Sequence, residues 1–142
     1  MSIRTALLAS LSFAALALAP TDAAAQTQVA SFRAQYAHIY PSSSNPFQIG
    51  PYLVRFTLYD DGTWLNTDGN GGEWLLQGNT VTLWFVSRAA ATSSSPPFGA
   101  ATWTGTYASN NVCDGAIRSP GIDPDTGDPT TVQGSWKTRG CP

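Results

Sequence analysis

The chain has 142 residues, of which 42% are hydrophobic and only 11% are charged, and its formal net charge at pH 7 is −2. Its basic residues form no run or stripe, so it lacks the electrostatic footprint of a nucleic-acid-binding protein, and nothing favours an anionic membrane surface. Five tryptophans in a small chain rich in glycine, serine and threonine are typical of a secreted β protein.

The N-terminus has the layout of a secretory signal peptide. Arg4 precedes an apolar run over residues 6–19, and three alanines follow at positions 23–25. The run is shorter than the roughly 20 residues that a membrane-spanning helix needs. We therefore expect cleavage before Gln26, a secreted or periplasmic location, and no membrane attachment after cleavage. Residues 1–25 are the predicted signal peptide, and residues 26–142 are long enough for one domain.

The first segment of that domain is ambiguous between two periodicities. Residues 29–40 place Phe32, Tyr36, His38 and Tyr40 on one face of a strand, but they also fit a helix with an apolar stripe. We favour the strand because every later element is predicted to be one. Residues 42–51 are predicted to be a loop.

Two hairpins follow. Residues 52–58 alternate, and a three-residue loop at positions 60–62 would place Trp64 opposite Leu58 and bury its indole. Gly78 and Asn79 then separate two alternating runs, which predicts a two-residue turn with Trp74 opposite Leu83.

The C-terminal part is predicted to contain three more strands. They cover residues 101–107, 112–118 and 131–138, after a loop over residues 87–100 and with further loops at 109–111 and 121–129. The expected register aligns Trp103 with Ile117 and Tyr107 with Cys113. In an oxidising compartment Cys113 and Cys141 should form a structural disulfide.

About eight short strands in mostly sequential hairpins predict an all-β fold, a single up-and-down antiparallel barrel. A two-sheet sandwich is the alternative. Four tryptophans are predicted to point inward: Trp64, Trp74, Trp103 and Trp136. The fifth, Trp84, shares the outer face with Leu75 and Val86, which indicates an exposed apolar patch or an overlying loop.

Two stretches of the chain resemble the avidin family. They are GTWLN at positions 62–66 and TWTGTY at positions 102–107, about a dozen residues in all. That family consists of secreted eight-stranded barrels that bind biotin with tryptophans and small polar residues. The resemblance implies a calycin-like architecture and ligand contacts by Asn66 and Trp103. The candidate ligand-binding set from these two stretches is Trp64, Asn66, Trp103 and Tyr107.

Catalytic motifs are missing from the sequence. His38 is the single histidine and has no neighbouring motif, so we interpret it as an ordinary strand or rim residue. Glu73 and Asp114 are the carboxylates on predicted strands, and both are expected to point outward rather than flank a cleft. We predict no enzyme, no metal site and no cofactor. The aspartates at positions 123, 125 and 128 are interpreted as turn formers rather than calcium ligands.

The sequence favours an exported, non-catalytic binding protein that holds a small apolar or sugar-like ligand at the barrel mouth. The alternative is a protein-binding barrel, such as a secreted inhibitor or envelope partner, that uses the patch of Leu75, Trp84 and Val86.

Overall fold

The computed structural model describes residues 25–42, 44–92, 100–139 and 141. Residues 1–24, which hold almost all of the predicted signal peptide, lie outside the described residues, as do residues 93–99, half of the loop predicted over residues 87–100. Across the described parts of the chain, no helix is both long and apolar enough to cross a bilayer.

The described residues form eight antiparallel strands and one short helix. In chain order these are β1 Gln28–Tyr40, β2 Phe47–Tyr59, β3 Thr63–Asn66, β4 Gly71–Gln77, β5 Thr80–Trp84, α1 Arg88–Ala91, β6 Thr102–Ala108, β7 Asn111–Ile122 and β8 Pro129–Thr138. Each strand pairs with the next along the chain, and β8 pairs with β1 to close the sheet. The predicted up-and-down barrel is confirmed, and the sandwich alternative is wrong.

The ambiguous first segment is a strand. β1 is the seam of the barrel, since it pairs with both β2 and β8 along its length. Its inward-facing Phe32 and Ala34 are buried two residues apart, whereas a helical stripe would have required a period of 3.6 residues. The strand interpretation is therefore confirmed.

Both predicted hairpin registers are confirmed. Trp64 pairs with Leu58 across a loop in which Gly62 has a φ of 81°, as expected for a three-residue loop that ends in a left-handed residue. Trp74 pairs with Leu83 across the two-residue turn at Gly78 and Asn79.

The register predicted for β6 and β7 is only half right. Trp103 does pair with Ile117, but Tyr107 pairs with Val112 instead of Cys113. Ser109 and Asn110 both have positive φ and form a two-residue turn, and a bulge at Asp114, with φ of 54°, restores the register farther along. The sequence interpretation placed the extra residue in the turn rather than in the strand.

The loop predicted over residues 42–51 is also too long. β2 begins at Phe47, which pairs with Tyr40, and a register shift in the β1–β2 ladder takes up Gly50 and Pro51. Proline is tolerated within sheets at such bulges, which is why a Gly-Pro pair did not end this strand. The strand β7 likewise runs through Pro120 to Ile122.

Aromatic rings fill the barrel from its middle to one end. Trp64, Trp103 and Trp136 are at most 3% exposed, as predicted, and Trp74 is half-buried against the same core. The Trp64 indole N–H donates to the backbone oxygens of Glu73 and Trp84, at 3.0 Å each. Eight strands enclose an interior that is just wide enough for side chains to fill.

The disulfide between Cys113 and Cys141 is present, with 5.6 Å between the Cα atoms. It joins the start of β7 to Cys141, three residues after the end of β8, at the filled end of the barrel. The bridge is compatible with an oxidising compartment such as an export destination.

Candidate functional site

A cleft of about 400 Å³ opens at the other end of the barrel. The end of β1, the β3–β4 turn, the start of β6 and the end of β7 surround it. The lining residues are Tyr36, His38, Tyr40, Asn66, Asp68, Asn70, Phe85, Ala101, Trp103, Ser119, Pro120, Gly121, Ile122 and Val132. We call this space the mouth cleft.

Trp103 separates the mouth cleft from the packed core. Its ring lies 5.3 Å from Phe56 and 5.5 Å from Trp136 on the core side, and 5.0 Å from Tyr36 on the cleft side, measured between centroids. The side chain is only 3% exposed, yet its Nε1–H has no hydrogen-bond partner among the described residues. A buried indole N–H ordinarily finds an acceptor, so Trp103 stands out as a cleft-lining residue whose enclosed donor is left without one.

His38 contributes the second orphan nitrogen of the mouth cleft. Its Nδ1 is buried and has no partner within the described chain. The ring stands edge-on to Tyr36, at 5.5 Å, and to Trp103, at 6.4 Å. Burial lowers the pKa of His38 below its ordinary value of 6.5, so the imidazole is neutral at pH 7 and can offer either a donor or an acceptor at Nδ1.

The orphan nitrogens distinguish the mouth cleft from larger depressions elsewhere. Two grooves of about 580 and 640 Å³ run along the outside of the barrel beside β1 and β8. Neither is lined by His38 or Trp103, the two side chains with buried unpartnered nitrogens in the described residues.

Aromatic side chains of β1 line one wall of the mouth cleft, from the Trp103 ring at its base toward the rim. Inward positions alternate along the strand, so Tyr36, His38 and Tyr40 succeed one another toward the rim. Tyr40 stacks on Phe47 at 5.4 Å with 6° between the ring planes, and this pair forms the outer edge of the wall. The wall presents flat apolar faces together with the Tyr and His heteroatoms.

The opposite side of the mouth is a polar turn whose shape is held by Asn66. The Asn66 side-chain oxygen accepts hydrogen bonds from the backbone N–H groups of Asp68, at 3.1 Å, and Asn70, at 2.9 Å. Because the side-chain oxygen is used within the turn, Asn66 can offer its side-chain NH₂ group to the cleft as a hydrogen-bond donor. Asn66 therefore both shapes the rim and lines it.

The mouth cleft has a negative electrostatic character. Burial, followed by the nearby charge of Asp68, raises the pKa of Tyr36 above its ordinary value of 10.0. No lysine or arginine is found among the described residues that line the cleft, whereas Asp68 is an exposed carboxylate on its rim. Charge of the same sign on a ligand would be repelled here.

Two loops at the rim are tied together by Asp125. Its carboxylate, in the β7–β8 connection, accepts hydrogen bonds from the Ser44 hydroxyl at 2.9 Å and the Ser44 N–H at 3.0 Å in the β1–β2 connection. The Ser42 hydroxyl donates to the same oxygen. The contact fastens one side of the mouth across the β1–β8 seam.

The four candidate ligand-binding residues do not all meet. Asn66 and Trp103 lie together in the mouth cleft. Trp64 is fully buried with its N–H satisfied inside the barrel. Tyr107 lies at the filled end, where its hydroxyl donates to the Asn110 side chain at 2.7 Å.

The β1 side of the mouth cleft was not among the candidate site residues. The alternation of Tyr36, His38 and Tyr40 predicted a strand face, and His38 was interpreted as an ordinary strand or rim residue; it lies on β1 and lines the cleft. Only the closure of the barrel brings that face opposite Trp103 and Asn66, so no local pattern could have joined them.

The expected outer patch of Leu75, Trp84 and Val86 is not an exposed indole surface. Trp84 is only 8% exposed, and the Arg88 guanidinium lies 5.7 Å from its ring centroid. The segment containing α1 folds back here, and the Arg88 N–H donates to the Glu73 carboxylate at 2.7 Å. The sequence pattern left two possibilities for Trp84, an exposed apolar patch or a covering segment, and the second is the one observed. A covered indole offers no exposed surface to a partner protein.

The remaining acidic candidates lie outside the mouth cleft. The Glu73 carboxylate accepts the Arg88 N–H in the segment that covers Trp84. Asp114 is exposed at the β7 bulge. Asp123 accepts a hydrogen bond from the Asp125 N–H within its own turn. Within the described ranges, no group of three or more His, Cys, Asp or Glu side chains is placed to hold a metal ion.

Comparison of the chain with protein-family models, with curated proteins and with solved structures finds no match of significance in any of the three. The eight-stranded antiparallel barrel agrees with a calycin-like fold in general terms, and the geometry of the mouth cleft carries the functional argument.

Proposed function

We propose that this barrel is an exported, non-catalytic binding protein that holds a small ligand in the mouth cleft. The observation that carries the proposal is the open mouth cleft lined by Trp103, a ring that is 3% exposed and whose enclosed Nε1–H has no partner among the described residues. Leaving such a donor without an acceptor costs about 1–3 kcal/mol, and a ligand oxygen would remove that cost.

Size and lining support the same function. Ligand pockets typically measure about 300–1,000 Å³ and combine apolar walls with a few placed polar groups. The mouth cleft, at about 400 Å³, has that composition and suits a ligand of one or two rings. The avidin-like stretches add Asn66 and Trp103, the two members of the candidate set that line this cavity.

A binding role is favoured over catalysis by the content of the cleft. Glycoside hydrolysis needs two carboxylates that flank the substrate, and in the described lining Asp68 is the single carboxylate. A Ser-His-Asp system needs a base oriented by an acid, but the His38 Nδ1 has no such partner in the described chain.

The first test is a Trp103→Phe variant, which keeps an aromatic floor and removes the donor. The native protein should bind at least one of three probes, biotin, indole or methyl β-glucopyranoside, with a change in the Trp103 indole ¹⁵N–¹H resonance. Calorimetric titration, used because the variant lacks that resonance, should show that Trp103→Phe weakens the binding about tenfold, the effect of losing one buried hydrogen bond.

Tyr107→Phe is the matched control, because it removes a hydroxyl at the filled end of the barrel and should leave probe binding unchanged. The proposal fails if no probe moves the Trp103 resonance and native mass spectrometry of the gently purified protein detects no retained small molecule.

A further inference from the structure

We propose that the mouth cleft selects an uncharged or cationic ring that bears hydroxyl groups, a neutral or amino sugar, and rejects ligands that bear a carboxylate. This inference rests on the proposed binding function and names the ligand class of the same site. It follows from three separate features of the cleft, namely its aromatic wall, its orphan nitrogens and its charge.

The aromatic wall requires a ligand with an apolar face. Tyr36 lies 5.0 Å from the Trp103 ring, and Phe85 lies 5.1 Å from it on another side, so the floor and wall are largely ring surface. A pyranose ring has a face of C–H groups that can lie against such a surface while its hydroxyl groups point outward. A linear polar ligand would leave these rings uncovered.

The orphan nitrogens require a group that can both accept and donate. The Trp103 Nε1–H needs an acceptor, and the neutral His38 ring nearby needs a partner at Nδ1. A hydroxyl group has one donor and two acceptor lone pairs, so it can satisfy either nitrogen in either His38 tautomer. Asn66 offers a further donor at the rim, and Asp68 offers an acceptor.

The charge of the cleft opposes an anionic ligand. Asp68 is the charged side chain of the described lining. A cation, in contrast, would gain from Asp68 and from the faces of the tyrosine and tryptophan rings.

The test compares three sugars that differ at one carbon. Methyl β-glucopyranoside, its 6-amino-6-deoxy derivative and methyl β-glucuronide share the ring and carry a hydroxymethyl, an ammonium and a carboxylate substituent. Titrations at low ionic strength, followed by the Trp103 indole resonance, should show the glucuronide binding at least about fivefold more weakly than the other two. The difference should shrink in 0.5 M NaCl.

Asp68→Asn should abolish most of that discrimination, because it removes the charge and keeps the shape of the side chain. Asp114→Asn is the matched control: it makes the same change in net charge at an exposed bulge on β7, where asparagine tolerates the positive φ. The control should retain the native preference among the three sugars.

Four outcomes would overturn the inference. Glucuronide binding as tight as glucoside binding would refute the charge selection while leaving a working binding site. A protein that binds indole but none of the three sugars would refute the hydroxylated-ring class, and tight binding of biotin, which bears a carboxylate, would also refute the charge selection; the proposed function would still stand in both cases. Loss of all binding, with no retained molecule, would overturn both.

Discussion

Trp64 and Trp103 are both buried indoles in one barrel, and the hydrogen bonding of the N–H distinguishes the structural Trp64 from the proposed binding residue Trp103. The Trp64 N–H bridges the backbone oxygens of Glu73 and Trp84. The Trp103 N–H meets no acceptor in the described chain. Sequence patterning predicted that both rings point inward, but it treated them as equivalent candidates for ligand contact.

Replacing each ring by phenylalanine should expose this difference in stability. Trp64→Phe removes two hydrogen bonds, leaves two buried carbonyl oxygens without that donor and opens a cavity in a closed core, so we expect a loss of about 3–4 kcal/mol. Trp103→Phe breaks no hydrogen bond within the described chain and enlarges a space that is already open, so it should cost about 1–2 kcal/mol.

Urea denaturation of the two variants, compared with the native protein, measures both losses. Equal destabilisation by the two substitutions would contradict the assignment of Trp64 to structure and Trp103 to binding. The two variants have the same change in side-chain volume, so each serves as the control for the other.

Glycines make room for these rings, although not in the way that the sequence pattern indicated. Glycine recurs two residues before tryptophan at positions 62, 72 and 134, a pattern that by itself indicates room beside a large ring. In the barrel, a Cβ on Gly72 would lie 3.1 Å from the Trp64 Nε1 and would collide with the Trp84 backbone oxygen. Gly115 similarly clears space for Trp136. The ring and its glycine are on different strands, so only the pairing of strands identifies them.

At the scale of the element, turn chemistry decided how well each hairpin could be predicted. Gly78-Asn79 and the loop ending at Gly62 have strong glycine patterns, and their registers were right. The β6–β7 turn lacks glycine and uses Ser109 and Asn110 with positive φ. Asparagine adopts that conformation readily, but serine gives no such indication, so the extra residue was assigned to the turn.

The disulfide is the element-scale feature with the clearest energetic consequence. Cys113 and Cys141 are 28 residues apart, and they enclose most of β7 and all of β8. The chain-entropy relation gives a stabilisation of about 3.5 kcal/mol for a loop of that length. We expect the double variant Cys113→Ala/Cys141→Ala to lose about that much, as a lower urea midpoint with an intact barrel.

Reduction of the native protein should reproduce the loss, and the same reductant should leave the double variant unchanged. A double variant as stable as the oxidised native protein would contradict the bridge as a stabilising link between β7 and the end of β8.

On the scale of the whole molecule, the barrel has a filled end and an open end. An interior of eight strands can be filled by side chains, and here the filling stops at Trp103. Beyond it, β1 continues to Tyr40 and the longer connections surround the mouth cleft. Strand alternation predicted the filled half residue by residue. The open half depends on closure between β1 and β8 and on how far the strands extend past the core, and neither is encoded in a local pattern.

The shortest strand should be the place where the closed barrel opens first. β3 has four residues, whereas β1 and β2 have 13 each, so β3 contributes few ladder hydrogen bonds to its neighbours. We expect amides of β3 and of the facing part of β4 to exchange with solvent through a local opening about 2 kcal/mol or more below global unfolding. Native-state hydrogen exchange measures this, with β7 and β8 as the internal reference.

Trp64 is the main link that holds this short strand, because its indole on β3 reaches the backbone of β4 and β5. In Trp64→Phe the protection of β3 should fall by more than the global stability, whereas in Trp103→Phe it should fall by no more than the global loss. Because Asn66 ends β3 and Asp68 follows it, the same opening would release one side of the mouth cleft. A ligand bound there should therefore slow exchange in β3 before it slows exchange in β7, and uniform protection across the barrel would contradict this coupling of the mouth to the weakest strand.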